Sequence, residues 1–118
     1  MTAVVTDAHY RMSVALIRDL GEAGVRVIAC EKETFSDPVG FASRHAARCV
    51  RLPERGYPDA LYALCREELE QSGEKPALLP VGAQTLAILA REQARFSAVC
   101  GLCIPSPEQL SLLSLIHI

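Results

Sequence analysis

The sequence TAVVTDAHYRMSVALIRDLGEAGVRVIACE, residues 2–31, decides the fold of this chain. It opens with a short apolar run at residues 3–5, which is typical of a strand buried on both faces. Gly21 and Gly24 predict the end of the helix that follows, and the apolar run at residues 25–29 predicts a second strand. Apolar residues recur at helical spacing between the strands and predict an inward helix face made of Met12, Ala15, Leu16, Leu20 and Ala23.

Two apolar strands joined by one amphipathic helix form a βαβ unit, whose crossover is almost always right-handed. Ligands of open α/β sheets bind beyond the carboxyl ends of the strands. This rule selects Thr6, Asp7 and the loop to Arg11 after the first strand, and Glu31 at the end of the second strand. These residues are therefore the first candidates for a binding site.

The composition restricts the class of protein. The chain has 118 residues, half of them hydrophobic, which is enough for one domain with a real core. The net charge of −2 and the absence of Trp predict no nucleic-acid partner. The sequence has no apolar run of about 20 residues and no signal peptide, so we expect no membrane association. The five cysteines then predict reduced thiols in a cytoplasmic protein.

The middle of the chain continues the alternation of strands and helices. Ser36 or Asp37 before Pro38 predicts the cap of a short helix, and the mixed polar pattern at residues 48–52 predicts an edge strand. Pro58 predicts the start of the next helix. The predicted inward stripe of that helix consists of Leu61, Leu64, Cys65 and Leu69.

A buried strand is predicted at residues 77–81, where Pro80 marks the end of regular pairing and Gly82 follows on the ligand side. One long helix follows, with a predicted inward face of Leu86, Leu89, Ala90, Gln93 and Phe96. Residues 99–104 predict a last strand, and Ser106 opens a capping-box helix. This order predicts an α/β, Rossmann-like, doubly wound and mostly parallel sheet of about five strands.

The last six residues, LSLIHI at 113–118, do not fit the helix that Ser106 begins. They are apolar and uncapped, and they match the translation of CTGTCTCTTATACACATC, a transposon-end adapter used in sequencing libraries. We therefore interpret residues 1–112 as one domain and residues 113–118 as adapter read-through, with a real hydrophobic C-terminus as the alternative.

Other motifs carry weaker signals. No G-x-G-x-x-G follows the first strand, so Glu31 alone is weak evidence for a dinucleotide site. Cys100 and Cys103 form a C-x-x-C pair, but residues three apart in a strand point to opposite faces, which favours two buried, inert thiols. A zinc site would need a second ligand pair that the sequence lacks. We predict no metal ligands and no catalytic residues in this chain.

Three segments resemble the N-terminal region of ATP-grasp enzymes, in particular the members related to carbamoyl-phosphate synthase and the carboxylate–amine ligases. They are SRHAARCVRLP at residues 43–53, LLPVGAQT at 78–85 and IPSPEQL at 104–110. Their order and spacing, more than any one of them, carry the resemblance, which covers residues 1–112. It implies the pre-ATP-grasp domain, a Rossmann-like α/β unit.

The resemblance also implies a function. Such enzymes use ATP and Mg²⁺ to activate a carboxylate as an acyl phosphate, which an amine then attacks. The sequence has no glycine-rich phosphate loop and no acidic cluster for Mg²⁺, so the implied partner is a C-terminal ATP-grasp domain. This chain alone is then expected to be inactive. In the whole enzyme it is expected to form the part that binds the small carboxylate or amine substrate. The candidate substrate-binding residues are Thr6, Asp7, Arg11, Glu31, Arg44 and Gly82.

Each candidate also has a structural interpretation. Asp7 is predicted either to bind a ligand or to cap the first helix or its loop, and Glu31 either to bind a ligand or to be solvated. Arg11 and Arg44 are predicted to clamp a carboxylate or phosphate, although Arg44 can equally pair with an acid or pack on the surface. Two other functions remain open: a Rossmann-type domain of an oxidoreductase and a free-standing flavodoxin-like binding module.

Overall fold

The computed structural model describes residues 2–34 and 39–102. Four predictions fall outside these residues: the cap at Ser36 or Asp37, the position of Cys103, the helix that begins at Ser106, and the interpretation of residues 113–118. All statements on structure below refer to the described residues.

Helices and strands alternate along the chain. The strands are β1 (Thr2–Val5), β2 (Arg26–Lys32), β3 (Ala46–Leu52), β4 (Ala77–Leu79) and the two-residue β5 (Gly101–Leu102). The helices are α1 (Arg11–Glu22), α2 (Tyr57–Ser72), α3 (Ala83–Arg91) and α4 (Gln93–Ser97), and a single 3-10 turn (Val39–Ala42) precedes β3.

The sheet has the order β3-β2-β1-β4-β5, and its paired strands are parallel. Val4 at the centre is in register with Ile28 of β2 on one side and with Leu78 of β4 on the other. The α/β, Rossmann-like and parallel prediction is confirmed. Strands β1 to β4 have three to seven residues each. In the described residues, β5 consists of only two residues, which pair with β4. The edge position predicted for β3 is also confirmed.

The sheet carries helices on both faces. Val5, Val27 and Ala29 pack with Ile17 of α1 on one face. The opposite face of the sheet packs against α2, α3 and α4, and its core includes Val4, Ile28, Leu61, Leu89 and Phe96. Alternate strand residues therefore serve two separate hydrophobic cores, as a doubly wound sheet requires.

The inward face predicted for α1 is partly wrong. Ser13 and Ile17 are the buried residues of this helix, whereas the side chain of Met12 is 65% exposed and Ala23 is exposed. Hydrogen bonds explain why Ser13 faces inward: its hydroxyl donates to the carbonyl oxygens of Thr6 at 2.9 Å and Asp7 at 2.7 Å. These bonds fix the rotation of the helix and turn Met12 outward.

The long helix predicted after β4 is two helices, because the backbone departs from helical geometry at Glu92, with φ −107° and ψ 28°. Leu89 and Phe96 are buried as predicted, and Thr85 is buried where Leu86 was expected. Strand β4 ends at Leu79, directly before Pro80, as the proline predicted. Among the described residues, no helix has the length and apolar character needed to cross a bilayer.

Helix α2 buries Leu61, Leu64 and Cys65 of its predicted stripe, while Leu69 is half-buried. It also buries Glu68, which the sequence did not single out. The Glu68 side chain is 2% exposed, and its two carboxylate oxygens accept hydrogen bonds from Arg26 at 2.7 Å and Arg48 at 3.1 Å. A buried carboxylate is tolerated only when it is paired in this way. The interaction joins α2 to β2 and β3.

We expect Glu68→Gln to lower the free energy of unfolding by about 2 kcal/mol, because it removes the charge from two hydrogen bonds to arginine in a buried position. Urea denaturation measures the change. Glu67→Gln is the matched control: Glu67 is a neighbouring, exposed residue, and its replacement should change stability by less than about 0.5 kcal/mol. Equal effects of the two variants would contradict the role given to Glu68.

Candidate functional site

The chain reverses its direction across the sheet between β1 and β4. The connection from β1 carries α1 on one face, and the connection from β4 carries α3 on the other face. Ligands of doubly wound sheets bind in the crevice at this switch point, beyond the carboxyl ends of the strands. The residues that follow the two strands are Thr6 and Asp7 on one side and Gly82 on the other.

The carboxylate of Asp7 fills the switch point. Its Oδ2 accepts hydrogen bonds from the backbone N–H of Gly82 at 2.8 Å and from the hydroxyl of Thr6 at 2.7 Å. Its Oδ1 accepts the hydroxyl of Thr85 at 3.2 Å. Asp7 has a φ of +54°, a left-handed conformation that aspartate tolerates better than most residues, and it is 6% exposed. The Asp7 carboxylate therefore holds the N-terminus of α3 and does not cap α1, which corrects the helix-capping role predicted from the sequence. The contact of Asp7 with α1 is made by its backbone carbonyl, which accepts the Ser13 hydroxyl.

Gly82 is required at its position by this contact. A Cβ atom added to residue 82 would lie 2.8 Å from the Cγ of Asp7, closer than nonbonded carbon atoms approach. Thr6 completes the arrangement, because its hydroxyl oxygen accepts the N–H of Val81 at 3.1 Å while it donates to Asp7. Three of the predicted substrate-binding residues, Thr6, Asp7 and Gly82, thus lie in one hydrogen-bonded group.

Glu31 lies beside this group at the end of β2, and it is 1% exposed, so the prediction of a solvated side chain is wrong. Its Oε2 accepts the backbone N–H of His9 at 3.1 Å and also contacts the ring Nδ1 of His9. Its Oε1 accepts the N–H of Lys32 at 2.8 Å. Glu31 therefore holds the loop after β1 against the end of β2.

The two predicted arginines lie apart. Arg11 begins α1 at the carboxyl edge of the sheet, where it is exposed and its side chain makes no ion pair or hydrogen bond with the described residues. Arg44 precedes β3, and its guanidinium lies 3.4 Å from the ring of His45. Because the strands are parallel, a residue before β3 lies at the amino edge, opposite to Asp7. The structure does not bring Arg44 to the site.

The hydrogen-bonded group continues into the core through residues that the sequence did not indicate. The hydroxyl of Tyr57 lies 3.4 Å from that of Thr85, and burial raises the pKa of Tyr57 above its ordinary value. Burial likewise raises the pKa of the Cys30 thiol, and the nearby carboxylates of Asp7 and Glu31 raise it further. One sequence feature could have indicated Thr85. It lies three residues after Gly82, and a side chain at that position of a helix can reach back to the start of the helix.

Every buried polar side-chain atom in the described residues has a hydrogen-bond partner. Within the same residues, no three His, Cys, Asp or Glu side chains cluster in a way that would hold a metal ion. The polar atoms at the switch point are thus used to join two loops to α3. Arg11, at the start of α1, carries an exposed charge at the same edge of the sheet.

Comparison of the chain with protein-family models, with curated proteins and with solved structures found no match.

We expect Asp7→Ala to lower the free energy of unfolding by about 3 kcal/mol, because it leaves the Gly82 N–H and two buried hydroxyls without their acceptor. Chemical denaturation monitored by far-ultraviolet circular dichroism measures this loss. Asp19→Ala, at an exposed position of α1, is the control and should be nearly neutral. Full stability of the Asp7 variant would show that this carboxylate does not hold the fold.

The stability of the chain should also fall at alkaline pH. The ordinary pKa of a thiol is 9.0, so Cys30 ionises near that pH in the unfolded chain but retains its proton in the folded chain. The free energy of unfolding is then unaffected by Cys30 below pH 9, and above it falls by up to about 1.4 kcal/mol per pH unit.

Urea denaturation between pH 8 and 10.5 tests this dependence. Cys30→Ala should make the alkaline decline less steep, with a remaining slope from other buried groups such as Cys65, whose pKa is also raised, whereas Cys49→Ala, which removes an exposed thiol, should retain most of it. The same slope in all three proteins would contradict the protonated, buried state of Cys30.

Proposed function

We propose that this chain is the N-terminal, substrate-side domain of an ATP-grasp ligase, which activates a carboxylate as an acyl phosphate for attack by an amine or a similar nucleophile. The proposal begins from the sequence resemblance and is supported by a Rossmann-like sheet whose nucleotide crevice is already occupied. In this proposal ATP binds in a separate part of the enzyme, and this chain alone is inactive.

The observation that carries the proposal is the position of Asp7. In dinucleotide-binding domains, the pyrophosphate approaches a glycine-rich turn at the switch point. Here the same place holds a carboxylate, bonded at 2.8 Å to the N–H of Gly82, and a second negative charge on Glu31 lies nearby. A phosphate beside Gly82 would meet these negative charges, because the Gly82 N–H is already bonded to Asp7. This arrangement favours a domain that carries substrate contacts over one that binds a nucleotide.

The strand order bears on the other two candidates. A flavodoxin-like sheet pairs β1 with β3, whereas β1 here pairs with β4, so the strand order does not support a flavodoxin-like module. The observed strand order is compatible with the oxidoreductase alternative. The chain, however, has no glycine fingerprint after β1, and Asp7 occupies the crevice where a dinucleotide would bind.

In the proposed enzyme, the described residues have two roles. Thr6, Asp7 and Gly82 hold the edge of the sheet in one conformation, so that the groups along it need no ordering when substrate binds. Arg11 presents an unpaired guanidinium at that edge, which suits a carboxylate or the developing acyl phosphate. The described residues offer no cluster for Mg²⁺, so both ATP and the metal are assigned to the ATP-grasp part.

Long-read sequencing of the source locus across the codon of Leu112 tests the proposal directly. We expect the reading frame to continue into a glycine-rich region with acidic residues suited to Mg²⁺. The protein encoded by that frame should then form ADP from ATP only when a carboxylate and an amine are both supplied. A genome that encodes residues 113–118 followed by a stop codon would overturn the proposed parent enzyme.

Isothermal titration of the 118-residue chain separates the two enzyme classes. We expect no heat from Mg·ATP or from NADH up to about 1 mM nucleotide, since the crevice is filled by Asp7. Tight binding of NADH would favour the oxidoreductase. Tight binding of Mg·ATP would contradict the assignment of ATP to another domain.

A further inference from the structure

A cavity of about 670 Å³ lies near the carboxyl edge of the sheet, on the face covered by α2 and α3. It is bounded by the end of β2, the start of α2 and one side of α3. Its volume is within the range of cavities that bind small molecules. The residues that close the switch point, Thr6, Asp7 and Gly82, do not line it.

Helix α3 contributes five residues to the cavity: Gln84, Ala87, Ile88, Ala90 and Arg91. The spacing of Gln84, Ala87, Ile88 and Arg91 places these four along one side of the helix, over a length of about 10 Å. The stripe is polar at both ends and apolar in the middle. A ligand that lies along it would meet hydrocarbon at its centre and polar groups at its ends.

Lys32 provides a positioned cation at the Gln84 end. Its Nζ donates to the Oε1 of Gln84 at 2.8 Å and lies over the ring of Tyr57, 5.1 Å from the ring centre. Neither contact neutralises the ammonium, because an amide and an aromatic ring carry no formal charge. Lys32 is half-buried as a residue, and its ammonium is held in place by these two contacts.

Two further charges line the cavity, Arg91 and Glu54. Neither side chain forms an ion pair or hydrogen bond with another described residue. The lining therefore carries two cations and one carboxylate, although the chain as a whole has a net charge of −2. A concave, mainly apolar surface with an excess of positive charge is complementary to an anion with an apolar body.

We propose that this cavity binds a small organic acid. The ammonium of Lys32 holds the acidic group, the side chains of Ala87 and Ile88 contact the apolar body, and Arg91 adds attraction from the far end of α3. The inference does not depend on the proposed ligase function, since it uses none of the residues at the switch point.

Indole-3-acetate and its neutral analogue indole-3-acetamide are matched probes, because they have nearly the same shape and differ in charge. Titration of the ¹⁵N-labelled chain with the acid should shift the amide signals of Lys32, Tyr57 and residues 84–91. A Kd of about 1 mM is expected for a ligand of this size. The acetamide should bind at least fivefold more weakly.

Three variants assign the binding to the cavity. Lys32→Met retains the aliphatic stem and should weaken binding of the acid at least fivefold, with little effect on the acetamide. Ala87→Phe fills the middle of the stripe and should abolish binding of both probes. Arg18→Met, which removes an exposed cation from α1 on the opposite face, should leave binding unchanged.

The spectrum of each variant reports folding. If Lys32→Met does not fold, Arg91→Gln replaces it, since Arg91 is exposed and its loss should weaken binding of the acid two- to threefold. Equal affinity for acid and acetamide would overturn the proposal. So would shifts confined to the α1 face, or no shift at 5 mM acid. A negative result in these titrations would not affect the ligase proposal, which is tested separately by sequencing of the source locus and by the assay for ADP formation.

Discussion

The structure depends on one carboxylate, that of Asp7. It accepts hydrogen bonds from the N–H of Gly82 and from the hydroxyls of Thr6 and Thr85. It therefore connects the end of β1 with the start of α3 across the centre of the sheet. A buried charge is stable only when such donors surround it. The left-handed backbone of Asp7 and the absence of a side chain at Gly82 are both consequences of this contact.

The same contact links the fold to function. In doubly wound domains the switch point is the usual place for a phosphate-bearing ligand, and here the protein uses it for its own stabilisation. Our proposals therefore place ligand contacts at exposed groups around the edge, such as Arg11, and in the neighbouring cavity beside Lys32. The described part of the chain thus combines a centre whose buried polar groups are paired with charges at its margin, and the proposed substrate-side role depends on those marginal charges.

The sequence was sufficient for the strands and their parallel arrangement, because short apolar runs separated by amphipathic helices have few other solutions. It also located Thr6, Asp7 and Gly82, because residues after parallel strands share one edge of the sheet. It failed for Arg44, which precedes a strand, and for the partners of Glu68, which lie 42 and 20 residues away. Long-range polar contacts leave no periodic signal, so sequence patterns cannot reveal them.

The pairing of β1 with β4 has a consequence for synthesis on the ribosome. The N–H of Gly82 that Asp7 binds lies 75 residues further along the chain. At translation rates of 5–20 residues per second, roughly 4–15 s pass between the synthesis of β1 and the synthesis of the segment around Gly82 that completes its contact with β4. During this interval one edge of β1 has unpaired backbone groups, which invite pairing with other nascent chains. The period of greatest risk of misassembly therefore ends only when α3 has left the exit tunnel.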